Sequence, residues 1–330
     1  MGGPLIGTAT TTLPPPGGPT PGPTVDLSGD PRRHRRERTM GFVFLMAAAT
    51  SLLISALILV SLFGNGFEFF IDVDWSNVFD ASGWNPRQGQ FGISTILMGS
   101  LIVTGIAMVV AAPLGLGAAI YLSEYARPGF RTVLKPILEV LAGIPSVVLG
   151  VFALNWIAPE VVGTLFGEEH GRGGSMMAAG IGVGILSIPL VASVSEDAMR
   201  AVPDSLRQAS AGLGARRIST TLRVVLPAAV SGIVAALILA ASRAIGETMV
   251  VFIAGGASDT ATYTTDPLEG SLTMTAAMAS LAVGTDNVRT GAEGQLAVAS
   301  LYFVGIALFA FTFVLNLIGD RFVRRIRQAY

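Results

Sequence analysis

Residues 195–227 read SEDAMRAVPDSLRQASAGLGARRISTTLRVVLP, the least lipid-like connection between two apolar runs of a 330-residue chain. Pro203 and Asp204 open a short helix in which Leu206, Ala209 and Leu213, at i, i+3 and i+7, make one apolar face. Gly212 and Gly214 permit the turn that ends it. A second stretch sets Ile218, Leu222 and Val225 on one face before Pro227 opens the next apolar run. An elbow of this shape between two membrane spans has no lipid in which to bury its stripe, so it must dock against protein. The alternative is a loop folded back on its own bundle.

On both sides of the elbow the chain is apolar: 51% of its residues are hydrophobic and 13% charged. That leaves too little polar surface to cover a water-soluble globule of this size. Apolar runs near 40–63, 91–122, 133–157, 176–194, 226–254 and 296–318 predict six spans. The first, Met40 to Phe63, reaches about 36 Å as a helix against a hydrocarbon core of about 30 Å, and is too long for a signal peptide. Pro113, Gly115, Gly117, Pro145 and Pro189 fall inside these runs, where neighbouring helices can satisfy the freed backbone groups.

The predicted class is therefore all-α, a polytopic membrane domain over 39–330 with an elbow at about 195–226. A Pro/Gly/Thr-rich and basic tail, 1–38, precedes it and is too poor in apolar residues to bury a core. With the amino terminus in the cytoplasm, 17 of the 21 Lys and Arg residues lie inside and only Arg87, Arg172 and Arg289 face out, which predicts both termini inside. The outer loops, 64–90 with Trp75 and Trp84 and the long acidic 257–294, suit a soluble partner. Within the latter, Leu272 to Val283 is too short to span and is expected as an interfacial or re-entrant helix.

The chain has no cysteine and only two histidines, His34 and His170, so thiolate chemistry is excluded and a His-based metal or catalytic centre disfavoured. Nothing supports nucleic-acid binding. A membrane-embedded enzyme would have to use Glu124, Glu139, Glu196, Asp197 or Glu247, but no His, Cys or Ser–Lys arrangement supports them. Glu124, Glu196 and Asp197 read as solvated charges at span ends.

One span carries charge: Ala241-Ser242-Arg243-Ala244-Ile245-Gly246-Glu247-Thr248 places Arg243 and Glu247 four residues apart, stacked on one helical face. A charge near the bilayer centre costs about 2.5–3.5 kcal/mol on insertion scales, so such residues face the bundle interior and pair. Two readings stay open. Either Arg243 and Glu247 are a structural pair between packed helices, or Arg243, with Ser242, Glu247 and Thr248 around it, offers a planar cationic fork to a permeating oxyanion.

Gln208-Ala209-Ser210, then Gly214, then Val224-Val225-Leu226-Pro227 resembles the EAA signature of bacterial ABC importer permeases, with Gln208 and Ser210 departing from the usual Glu and Ala. The resemblance implies that Ser205, Leu206, Gln208, Ala209, Ser210, Gly212, Leu213, Gly214 and Ala215 form a coupling helix seated on an ATPase. Since the chain has no phosphate-cradling Gly-x-x-x-x-Gly-Lys-Ser/Thr loop, ATP and Mg would be bound by that separate subunit and no cofactor by this one. PLGLGAAIYLSEYA from Pro113, LEVLAGIPSVVLG from Leu138 and RAIGETM from Arg243 further resemble the phosphate ABC permeases, PstC more than PstA. That implies a type I importer fold in a bacterial cytoplasmic membrane, a PstA-like partner permease, a homodimeric PstB-like ATPase and an extracytoplasmic PstS-like phosphate-binding protein. The alternatives are an ion-driven anion transporter and an ABC permease for sulfate, molybdate or phosphonate.

Overall fold

The computed structural model describes residues 31–79, 83–257, 260–283 and 292–327. Of the expected 1–38 tail, residues 1–30 lie outside the described residues, as does part of the long loop, 284–291, whereas 31–38 are not tail but the first turns of a helix. In chain order the main helices are α1 (Pro31–Asp72), α2 (Ile93–Tyr125), α3 (Pro128–Ala142), α4 (Ser146–Phe166), α5 (Met176–Arg200) and α6 (Asp204–Gly212). They continue as α7 (Arg217–Ile245), α8 (Met249–Ala254), α9 (Met274–Val283) and α10 (Ala292–Arg327). Six of them, α1, α2, α4, α5, α7 and α10, contain stretches long and apolar enough to cross a membrane. The chain is thus a multi-pass membrane protein.

Two units divide the chain, Met1–Ile58 and Leu59–Tyr330. In the described part of the first, Phe42, Leu45, Leu53 and Leu57 are exposed apolar side chains, the pattern lipid requires. The second unit is built on α5, the most buried of the spanning helices. Small residues allow α2 to approach it closely: a Cβ added at Gly180 would lie 2.7 Å from Ile106 Cβ, and one added at Gly184 would lie 2.8 Å from Val110 Cβ. Gly184→Val should cost about 1–3 kcal/mol through overpacking. A lowered thermal midpoint of the purified chain checks this; an unchanged one would mean that α2 can step aside.

The amino terminus of α5 would leave its first N–H groups orphaned. Ser175 Oγ accepts from Ala178 N, Glu269 O from Met176 N at 3.0 Å and Pro267 O from Met177 N at 2.8 Å, so the loop before α9 caps the central helix. The same loop joins a two-stranded hairpin, β1 (Trp84–Asn85) and β2 (Gln90–Phe91), where Trp84 N donates to Ala261 O at 2.7 Å. Phe69, Phe91, Phe303 and Trp84 close this end of the bundle with ring contacts. Beside it the Asp74 carboxylate accepts from Ser76 Oγ and Ser76 N, which holds its carboxyl below the ordinary aspartate value.

Several boundaries differ from the hydropathy reading. The run 133–157 is two helices: Gly143-Ile144-Pro145 interrupts it, because a residue before proline is pushed out of the α region. Its first part, α3, is amphipathic, with Arg131, Lys135 and Glu139 at four-residue spacing along one stripe. Residues 64–72, expected in a loop, continue α1. The run 226–254 breaks after Ile245. Pro227 opens nothing, since α7 runs continuously from Arg217 through a widened π-turn at Thr221–Val225. That turn also rotates Val225 into the core while Ile218 and Leu222 stay exposed, so the three do not share one face.

Candidate functional site

Arg243 sits in the last turn of α7, and the helix ends two residues later. Gly246, Glu247 and Thr248 form a non-helical break before α8, so Arg243 and Glu247 are not stacked on one helical face, and no ion pair joins them. The i, i+4 reading fails because it presumes a continuous helix through Gly246. Lipid offers no hydrogen bonds to a broken backbone, so the break must be satisfied by protein. Helix α9 does this: Thr275 Oγ1 donates to Glu247 O at 2.8 Å, and Ser100 Oγ on α2 in turn accepts from Met274 N at 2.9 Å. The short apolar helix expected at 272–283 is thereby a buried strut for the break; Met274, Ala276 and Ala277 are all buried.

Around Arg243 the predicted residues fall into different roles. Ser242 Oγ donates to Asn316 Oδ1 on α10 at 3.0 Å, tying the broken helix to the last span. Thr248 leads into α8, accepting from Phe252 N at 2.9 Å through its carbonyl. The Arg243 side chain is exposed and borders a cavity of about 210 Å³ between α3, α5 and α7, shared with Lys135, Glu139, Ser193 and Glu196. A cation reaching a cavity beside a helix break can meet an anion without unfolding anything.

The elbow is built as two helices around Gly214, whose φ of +75° is a left-handed conformation that glycine adopts without strain. Ala215 N donates to Ser210 O at 3.2 Å, and the Ser210 and Thr220 hydroxyls meet at 2.8 Å, closing the elbow. Ser205, Leu206, Gln208, Ala209, Gly212, Leu213 and Ala215 are all exposed, Leu213 by 90%. With Ile218 and Leu222 they leave an unpartnered apolar patch, where folding back onto the bundle would have covered it.

Residues that the sequence reading passed over hold the elbow to the bundle. Arg207 Nη2 donates to Glu124 Oε1 at 3.0 Å and to Met199 O at 2.8 Å, while Nη1 donates to Val202 O at 2.6 Å and Asp204 Oδ1 at 3.2 Å. One guanidinium thus caps the end of α5 and pairs with the end of α2. Arg217 lies over the Tyr125 ring at 5.4 Å, a second link to α2. Glu124, at 7% exposure, and Glu196, at 1%, are therefore not solvated charges. Glu196 pairs with Arg131 and has Lys135 at 4.0 Å, so α3 is clamped to α5; Asp197, with Lys135 at 3.6 Å, remains mostly solvated as expected. The stripe of charges in α3 was the available signal, and it straddles the start of an apolar run. Among the described residues no group of histidines and acids could hold a metal ion.

Residues 111–328 match the family described as binding-protein-dependent transport system inner membrane component. The phosphate transport system permease protein PstC of Mesorhizobium japonicum is 30% identical over 92% of this chain and 96% of its own length. The probable ABC transporter permease protein YqgH of Bacillus subtilis is 30% identical over 83% of this chain and 87% of its own. Among solved structures, a bacterial ABC transporter involved in the import of the acidic polysaccharide alginate superposes with a TM-score of 0.60 at 15% identity, over 89% of this chain and 99% of that one.

Proposed function

The chain belongs to the binding-protein-dependent transport system inner membrane component family, and we propose that it is the PstC-like permease subunit of an ATP-driven importer of inorganic phosphate. The observation that carries this is the similarity to a phosphate permease along nearly that protein's whole length. The geometry supports it: a guanidinium at a supported helix break serves an oxyanion, and an exposed apolar elbow serves a partner.

In this reading the elbow end of the bundle is cytoplasmic, both termini lie on that side, and the basic residues follow the positive-inside bias. A second, PstA-like permease completes the pathway, and a PstS-like binding protein delivers phosphate from outside. Leu206, Leu213, Ile218 and Leu222 dock into a homodimeric ATPase that binds ATP and Mg. The link from Arg207 to Glu124 then carries elbow displacement into α2 as well as into α7. Alternating access moves the anion past Arg243.

The test is phosphate uptake into vesicles holding this chain with its partner permease, ATPase and binding protein. Uptake should require both ATP and the ATPase. Uptake that persists without the ATPase would sink the reading in favour of an ion-driven transporter. In the same vesicles Gly214→Asp should break coupling, because a β-carbon at φ +75° costs about 1 kcal/mol or more and the acid adds charge to an apolar docking patch. ATP hydrolysis no longer stimulated by the loaded binding protein, with the permeases still paired, is the expected result.

A further inference from the structure

We propose that the cavity between α3, α5 and α7 is a transient binding site for a small tetrahedral oxyanion, held jointly by Arg243 and Lys135. This rests on the reading of the chain as a phosphate permease and adds a second cation to the path. Lys135 projects from α3, an element that hydropathy assigned to a span, into the same cavity of about 210 Å³ that Arg243 borders.

Both cations are under-committed. Lys135 Nζ lies 4.0 Å from Glu196 and 3.6 Å from Asp197, longer than the about 2.7–2.9 Å of a charge-assisted hydrogen bond. Glu196 is instead engaged by Arg131. Arg243 forms no ion pair among the described residues. Leu138, Leu186 and Pro189 supply apolar wall, which strengthens the attraction of either cation for an anion. Ser193 adds a hydroxyl that can donate to an anion. The Glu139 carboxylate in the same wall opposes long retention, which suits a site that an anion must enter and leave. A merely structural lysine would serve only to clamp α3 to α5, which Arg131 already does.

Because the chain is free of cysteine, a single thiol can report on this cavity without background. Ala142→Cys in the cavity wall is introduced, with Leu190→Cys as a second reporter should the first fail to assemble. Each is labelled in the complete complex, purified in phosphate-free detergent, with anionic and cationic thiol reagents of similar size, and the label is read on this chain. The anionic reagent should react faster than the cationic one, and inorganic phosphate should protect the thiol. Lys135→Gln should weaken that protection about tenfold, equivalent to about 1.4 kcal/mol, and Lys135→Arg should restore it. Protection by added anionic phospholipid and not by inorganic phosphate would overturn the proposal in favour of a lipid headgroup site. Equal labelling with and without phosphate, in a complex whose uptake is intact, would overturn it while leaving the transport reading standing. A wild-type complex that takes up no phosphate would overturn both.

Discussion

Arg243→Gln should abolish phosphate uptake while the permeases stay paired and the ATPase stays bound. Glutamine keeps much of the length and hydrogen-bonding capacity of arginine but loses the charge and the planar fork that meets an oxyanion with two parallel bonds. A hydrogen bond to a charged group contributes about 1.5–3 kcal/mol, so losing two corresponds to a fall in uptake of more than about 100-fold. Assembly is spared because Arg243 is exposed and carries no ion pair among the described residues that its removal would orphan. Arg243→Lys, which retains charge without the fork, should fall between. Glu247→Gln should be milder than Arg243→Gln, since the connection of Glu247 to the rest of the bundle runs through its backbone carbonyl to Thr275. Uptake rates alongside co-purification of the partners check the set. Near-normal uptake by Arg243→Gln would remove Arg243 from the pathway.

Arg207→Ala should destabilise the complex and uncouple it. The substitution leaves the Glu124 carboxylate, 7% exposed, with Ser123 as its remaining side-chain donor. It also strips the caps from Met199 O and Val202 O. Breaking a buried pair from one side costs about 3 kcal/mol, the lower end of the usual range being apt because Arg207 keeps 22% of its side chain in solvent. Removing both charges, as Arg207→Leu with Glu124→Leu, should recover most of the stability, since no charge is then left buried alone. If Arg207 and Glu124 also transmit motion, that double variant should fold normally yet hydrolyse ATP without matching uptake. Thermal midpoints and the ratio of phosphate moved to ATP hydrolysed separate the two effects. A stable, fully coupled double variant would reduce the pair to a local clamp.

Arg131→Gln provides a comparison at the other buried acid. It would leave Glu196, 1% exposed, facing Lys135 alone, and would draw that lysine toward the carboxylate. Stability should fall by an amount similar to Arg207→Ala, and phosphate protection in the Lys135 cavity should weaken with it. The measurement is the same pair of midpoint and labelling experiments.

Much of this protein could be read from one dimension. The six apolar runs, the elbow and its turn at Gly214, the short helix before the last span and the candidacy of Arg243 each rest on local properties: summed hydropathy, helical spacing, or a backbone angle that glycine adopts without strain. Such properties belong to a segment whatever it touches, so sequence alone determined them. The comparison with known families agrees with the fold and class they imply.

What the tertiary structure decided are the places where a partner distant in sequence changes the balance. Glu124 reads as a solvated charge until Arg207, 83 residues on, comes within 3.0 Å of it. Helix α7 reads as continuous through Gly246 until Thr275 supplies the hydrogen bond that lets it stop. The charged stripe of α3 reads as the edge of a span until Glu196 on α5 takes up Arg131 and leaves Lys135 loosely held beside Arg243. Hydropathy adds up residues one by one, whereas the cost of burying a charge or a broken backbone is set by whether a partner arrives, and only the folded chain brings the partners together.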